Sequence, residues 1–131
     1  MSRRLLQIVV AVLGLLPIGT GLAAFALGPA LMPGGQPVSP SIDNEYRFLA
    51  VFWFAFGVVI YWMLPNIERQ TSLVRFLCGV IFLGGVGRLI SYMTFGAPHG
   101  AYSAAMVLEL IGMPLLVLWQ ATIAVDTRRI Q

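Results

Sequence analysis

Two residues in this sequence are of a type, and in a place, to do chemistry: Arg88 and Glu109. They lie in the nearly apolar stretch FLGGVGRLISYMTFGAPHGAYSAAMVLELIG, from Phe82 to Gly112. A carboxylate in such surroundings can bind a donor or serve as a general acid or base. A guanidinium can hold an acceptor oxygen. Ionisable groups inside an apolar segment are costly and mark functional sites by default. Arg88 precedes Pro98 by ten residues, and Glu109 follows it by eleven. If Pro98 marks a tight turn between two antiparallel helices, a rise of about 1.5 Å per residue puts both charges at equal depth. That is the geometry of an ion pair. The bland reading is interhelical glue; the functional reading is a polar cavity.

Other chemistry has no residues to carry it. The sequence lacks a glycine-rich phosphate loop, a Cys/His cluster and a Ser or Cys with an evident His base. The one His, His99, has no second ligand at metal spacing and reads as a turn residue. No metal or cofactor is expected. Catalytic residues are not assigned. The inner half of every apolar run lacks an acid, which argues against a proton pathway through a single copy.

The elements that must position the pair follow from composition. Of 131 residues, 59% are apolar and only 10% charged. A soluble domain carries about 25% charged residues, so the expected class is an integral membrane protein. All eight basic residues are Arg, and a net charge of +3 is too small and too scattered for nucleic acid. A lone Cys78 excludes an intrachain disulfide and reads as a core thiol.

Four stretches approach the roughly 20 apolar residues a spanning helix needs. They cover residues 5–27, 47–64, 73–95 and 102–125. The expectation is one all-α domain over residues 1–131, an antiparallel four-helix transmembrane bundle. The connection GPALMPGGQPVSPSIDNE holds four prolines and cannot continue a helix. Ser41 or Asp43 can cap the second helix, and Thr71 or Ser72 the third. Pro114 should kink the fourth. Glu68 and Arg69 read as a solvated loop pair, Gln120 as a side chain reaching the inner edge, and Trp62 and Trp119 as an interfacial belt.

Orientation follows from Arg placement. Arg3, Arg4, Arg69, Arg75, Arg128 and Arg129 fall on one side of a four-span chain. The reading is a bacterial inner membrane with both termini cytoplasmic. A cleaved signal peptide is the rival reading of MSRRLL and its apolar run, which is long for one and contains Pro17.

Depth and face then select a candidate ligand site in the outer half: Thr20, Arg47, Trp53, Arg88, Tyr92 and Glu109. Tyr92 shares the face of Arg88 at i+4, with Gly84 and Gly85 on the same face. Two arginines against one deep acid favour a ligand with an anionic or strongly accepting head and an apolar tail. Alternatively, Arg47 binds Asp43 or Glu45 locally or extends to the headgroups.

The segments IDNEYRFLAVFW, IERQTSLVRFL, FLGGVGRLISY and LELIGMPLLVLWQ together resemble a bacterial membrane family known as domain of unknown function four-three-four-five. The resemblance runs from about Ser41 to Gln120. It falls on Asp43, Asn44, Glu45, Arg47, Gly84, Gly85, Arg88, Ser91, Glu109, Pro114, Trp119 and Gln120. It implies four spanning helices and no activity. Small four-helix membrane glutathione transferases are similar in size, but their Asn…Glu…Pro pattern and basic clamp have no counterpart here. The functional expectation is a binding or accessory protein for a membrane lipid, a lipophilic small molecule or a partner helix, with homo-oligomers allowed. The alternatives are a small enzyme with Glu109 as acid/base, or a transporter subunit.

Overall fold

The computed structural model describes residues 2–129. Among these the chain is all-α. Helices α1 (Arg3–Leu27), α2 (Pro40–Met63), α3 (Thr71–Phe95), α4 (Gly100–Val107) and α5 (Met113–Arg129) follow in order. Single turns of tighter helix, Gly28–Leu31 and Leu64–Asn66, extend α1 and α2. A wider π turn, Leu108–Gly112, joins α4 to α5.

Four helical stretches are long and apolar enough to cross a membrane: Arg3–Ala30, Pro40–Asn66, Thr71–Phe95 and Gly100–Ala124, of 28, 27, 25 and 25 residues. At the helical rise each measures roughly 37–42 Å, against about 30 Å of hydrocarbon. Their outer surfaces suit lipid. Leu15, Phe52, Phe76 and Leu118 are all more than half exposed, which water would penalise and lipid does not. The chain is a membrane protein with transmembrane helices.

Two compact units make up the chain: Gln7–Pro65, and Met1–Leu6 with Asn66–Gln131. The first is an antiparallel hairpin of α1 and α2. Tyr61 donates to the Ala11 carbonyl at 2.7 Å and Gln7 to the Leu64 carbonyl at 2.9 Å, while Trp53 meets Thr20 further along. The helices approach closely where side chains are missing. A Cβ on Gly21 would lie 2.8 Å from the Phe54 amide nitrogen, and one on Gly57 would lie 3.0 Å from that of Ile18. Small residues at such crossings let backbones pack directly, the usual device where hydrophobic burial cannot drive association.

The second unit pairs α3 with the α4–α5 rod, again antiparallel. Arg88 faces Glu109, and Thr71 faces Gln120. Val74, Leu77, Cys78 and Met113 are buried.

The helix starts differ from the sequence expectation in instructive ways. Helix α2 begins at Pro40, two to four residues before the start that a cap at Ser41 or Asp43 would give. Ser39 caps it, its side chain accepting from the Ile42 amide at 3.4 Å. Proline suits the first helical position because its missing N–H would have no partner there. Hydropathy marks where lipid begins, not where helix begins, so α2 starts several residues before the apolar run at 47. His99 is the cap of α4, its Nδ1 accepting from the Ala101 amide at 3.3 Å. Helix α3 starts after Gln70 with no side-chain cap; the Thr71 hydroxyl instead accepts from Gln120. The irregularity expected at Pro114 is the π turn. Proline has no N–H for the ladder and its ring crowds the carbonyl four residues back, and the preceding turn widens.

Candidate functional site

In the second unit, Nε of Arg88 donates to both carboxylate oxygens of Glu109, at 2.9 Å to Oε2 and 3.2 Å to Oε1. Glu109 sits in the first turn of the π segment. Gly85 makes the approach possible, since a Cβ there would lie 2.9 Å from that of Glu109. The Tyr102 ring, one helical segment earlier, lies 5.5 Å from the guanidinium carbon of Arg88. That is within cation–π range. Arg88 stands seven residues before the C-terminal end of α3 at Phe95, about 10 Å along the axis.

The pairing is incomplete on the arginine side. Glu109 has only 13% of its side chain exposed, whereas Arg88 has 40%. All its hydrogen bonds leave from Nε; among the described residues, Nη1 and Nη2 have no partner. A guanidinium offers five N–H donors, so four remain unused. The adjoining face of α3 is bare. A Cβ at Gly84 or Gly87 would meet, apart from its own helix backbone and chain neighbours, no described atom within 4 Å. Of the two glycines read on this face, Gly85 packs against Glu109 and Gly84 lies open. Tyr92 is 40% exposed, and its hydroxyl has no partner among the described residues.

The remaining candidates lie in the first unit. The Trp53 indole donates to the Thr20 hydroxyl at 2.8 Å, and that hydroxyl donates to the Leu16 carbonyl at 2.5 Å. All three guanidinium nitrogens of Arg47 are engaged. Its Nε and Nη2 reach Asp43 at 2.9 and 3.3 Å. Its Nη1 donates to the Phe25 and Ala26 carbonyls at 2.8 and 2.9 Å. Those carbonyls end α1, where acceptors lack helical partners and a cation complements the dipole. Gly28, at φ 67°, lets the chain turn beneath the pair: a Cβ there would collide with Asp43 Oδ1 at 2.5 Å. Thus Arg88 meets Glu109, Trp53 meets Thr20, and Arg47 meets Asp43.

Two residues read as solvated or reaching the inner edge, Gln120 and Glu68, are buried instead, both in the second unit, and Trp119 is half-buried. Gln120 is fully buried; its amide donates to the Ile67 carbonyl at 2.9 Å and to Thr71 Oγ1 at 3.0 Å. Its Oε1 and the Trp119 indole nitrogen are buried without partners among the described residues. Glu68 is buried and pairs with Arg3 at 2.8 Å, not with Arg69. Interhelical bonds from Gln are a known means of joining membrane helices, and that was the available signal. Gln120→Ala should lower stability by about 1–2 kcal/mol, because the Ile67 carbonyl loses its donor. Gln120→Leu should cost less, since it fills the volume and removes the orphaned oxygen. Unfolding in mild detergent would rank the two, and the reverse order would mean the amide is dispensable.

Among the described residues no group of three His, Cys, Asp or Glu side chains is disposed to hold a metal ion. Comparison with sequence families matches residues 5–120 to the family described as Domain of unknown function (DUF4345). Curated proteins and solved structures return no match.

Proposed function

We propose, since the chain belongs to this DUF4345 family and that description assigns no activity, a function read from its own site. The protein is a binding or accessory protein of the membrane that holds a lipophilic molecule by its polar head at Arg88. The observation that carries this reading is the guanidinium engaged only through Nε. In a spanning helix, unpaired N–H donors cost free energy unless something accepts from them. A purely structural pair would turn its best donors toward the carboxylate as a bidentate fork; here only Nε does so. Glu109 fixes the side chain and leaves the outer edge for a ligand. The bare strip at Gly84 and Gly87 offers a path for an apolar tail.

The direct test is mass spectrometry of protein released gently from mild detergent. A lipophile retained by wild type and lost in Arg88→Gln supports the reading. Identical profiles for both would remove it.

The orientation proposed with this function is a bacterial inner membrane with both termini cytoplasmic, so that the site lies in the outer half. The Arg distribution supports it. The side chains of Arg128 and Arg129, and all of Gln131, lie outside the described residues. Single cysteines at Gln36 and Ala97, in a Cys78→Ser background, should react with an impermeant thiol reagent applied to intact cells. A cysteine at Gln70 should not. Gln36 and Ala97 are exposed, and neither change removes a cap. External labelling at Gln70 would reverse the orientation.

A further inference from the structure

We infer that the head group taken by Arg88 is a neutral acceptor, a carbonyl oxygen carried on a lipophile, and not an anion. This rests on the reading of Arg88 and Glu109 as a ligand site and specifies what that site selects. The sequence counts two arginines against one deep acid, a surplus of positive charge that would attract an anion. The structure cancels that surplus residue by residue. Asp43 meets Arg47 through two contacts, and two backbone carbonyls take its remaining engaged nitrogen. Arg88 has Glu109 to itself at 2.9 Å. The site at Arg88 is therefore neutral overall, yet rich in unused N–H donors.

A neutral donor site discriminates by charge. An anion on Nη1 and Nη2 would sit about one guanidinium width from the Glu109 carboxylate. Coulomb repulsion falls only as the inverse of distance, so it would cancel roughly half of the attraction to Arg88. The anion would also surrender its hydration on entering the span, a loss the balanced pair does not repay. A carbonyl oxygen gains the same charge-assisted hydrogen bonds. It brings no charge to repel Glu109 and little hydration to lose. Such oxygens are supplied by free lipophilic esters and ketones and by the ester groups of glycerolipids.

Four probes separate these cases: hexadecyl acetate, hexadecyl phosphate, hexadecane and dioleoylglycerol. Each is added to the full chain in mild detergent at neutral pH. Binding is read from the shift in thermal unfolding midpoint, taken as the difference between wild type and Arg88→Gln. Wild type should bind hexadecyl acetate about tenfold more tightly than hexadecyl phosphate, a gap of about 1.4 kcal/mol. Hexadecane should give no difference. Dioleoylglycerol binding ahead of the acetate would assign the site to glycerolipid esters; the opposite order assigns it to a free carbonyl lipophile. Glu109→Gln keeps the shape and an acceptor for Nε but removes the negative charge. It should invert the preference in favour of the phosphate.

A wild-type preference for hexadecyl phosphate would overturn the inference and leave the ligand-site reading standing. So would a Glu109→Gln variant that keeps the acetate preference. No difference between wild type and Arg88→Gln for any headed probe would remove the ligand-site reading itself. Wild-type selectivity decides the matter even if Glu109→Gln fails to fold.

Discussion

Gly21→Ala should destabilise the protein, and Gly19→Ala, two residues earlier on the same helix, should stabilise it. The two substitutions are chemically identical. Each replaces glycine inside a helix, which alone is worth up to about 1 kcal/mol in favour of alanine. The difference lies in what the new methyl meets. At Gly19 it meets nothing within 4 Å; at Gly21 it meets the Phe54 amide nitrogen at 2.8 Å and the Phe54 Cα at 2.9 Å. Backbone cannot rotate aside as a side chain can. α1 and α2 must separate along the crossing, and Ile18 against Gly57 loses its fit with them. Overpacking of this kind costs about 1–3 kcal/mol, enough to outweigh the propensity gain. Gly21→Leu should lie at or beyond the top of that range. Unfolding in detergent of the three variants would test the crossing. Equal effects at Gly19 and Gly21 would mean the helices do not meet there.

That crossing was not legible in the sequence. α1 carries Gly14, Gly19 and Gly21, and nothing in the spacing alone says which of them faces a backbone. The choice depends on the angle and height at which α2 crosses. The four spans, by contrast, were plain, because lipid demands long apolar runs and the sequence has four. The Arg88–Glu109 pair was legible for a similar reason. Two rare charges equidistant from one hairpin have few ways to avoid each other. What failed was inference from polarity near the helix ends. Gln120 and Glu68 look like surface residues by type, yet both are buried and paired across the chain. Arg47 shows the other limit. The sequence left two readings open, a ligand contact or a local bond to Asp43 or Glu45; the structure shows the bond to Asp43, with the open end of α1 beside it. The relation i, i+4 was visible in the sequence, but the carbonyls of Phe25 and Ala26 were not, since they depend on where α1 stops.

Arg88→Ala and Glu109→Ala should each cost about 2–4 kcal/mol, and the double variant clearly less than their sum. Removing one member strands the other in a spanning segment. The penalty is that of the unpaired charge, not the worth of the bond. A charge near the middle of a helix costs roughly 2.5–3.5 kcal/mol on insertion scales. The pair lies nearer the α3–α4 turn than the middle of the span, and Arg88 is partly exposed, which brings the expectation toward the lower half of the range. Removing both charges leaves neither to be stranded, so the double variant should recover about 1 kcal/mol or more relative to additivity. Coupling also separates the two roles of Arg88. Glu109 interacts with Nε alone, so the cycle reports on positioning. The Nη groups report through ligand retention. Arg88→Lys should keep a cation near Glu109 and restore part of the stability lost in Arg88→Ala. It should not restore ligand retention, because an ammonium is a point charge without the fork that leaves Nη1 and Nη2 free. Recovery of both by lysine would show that the site needs only a positive charge. Strict additivity in the cycle would show that the two side chains do not meet.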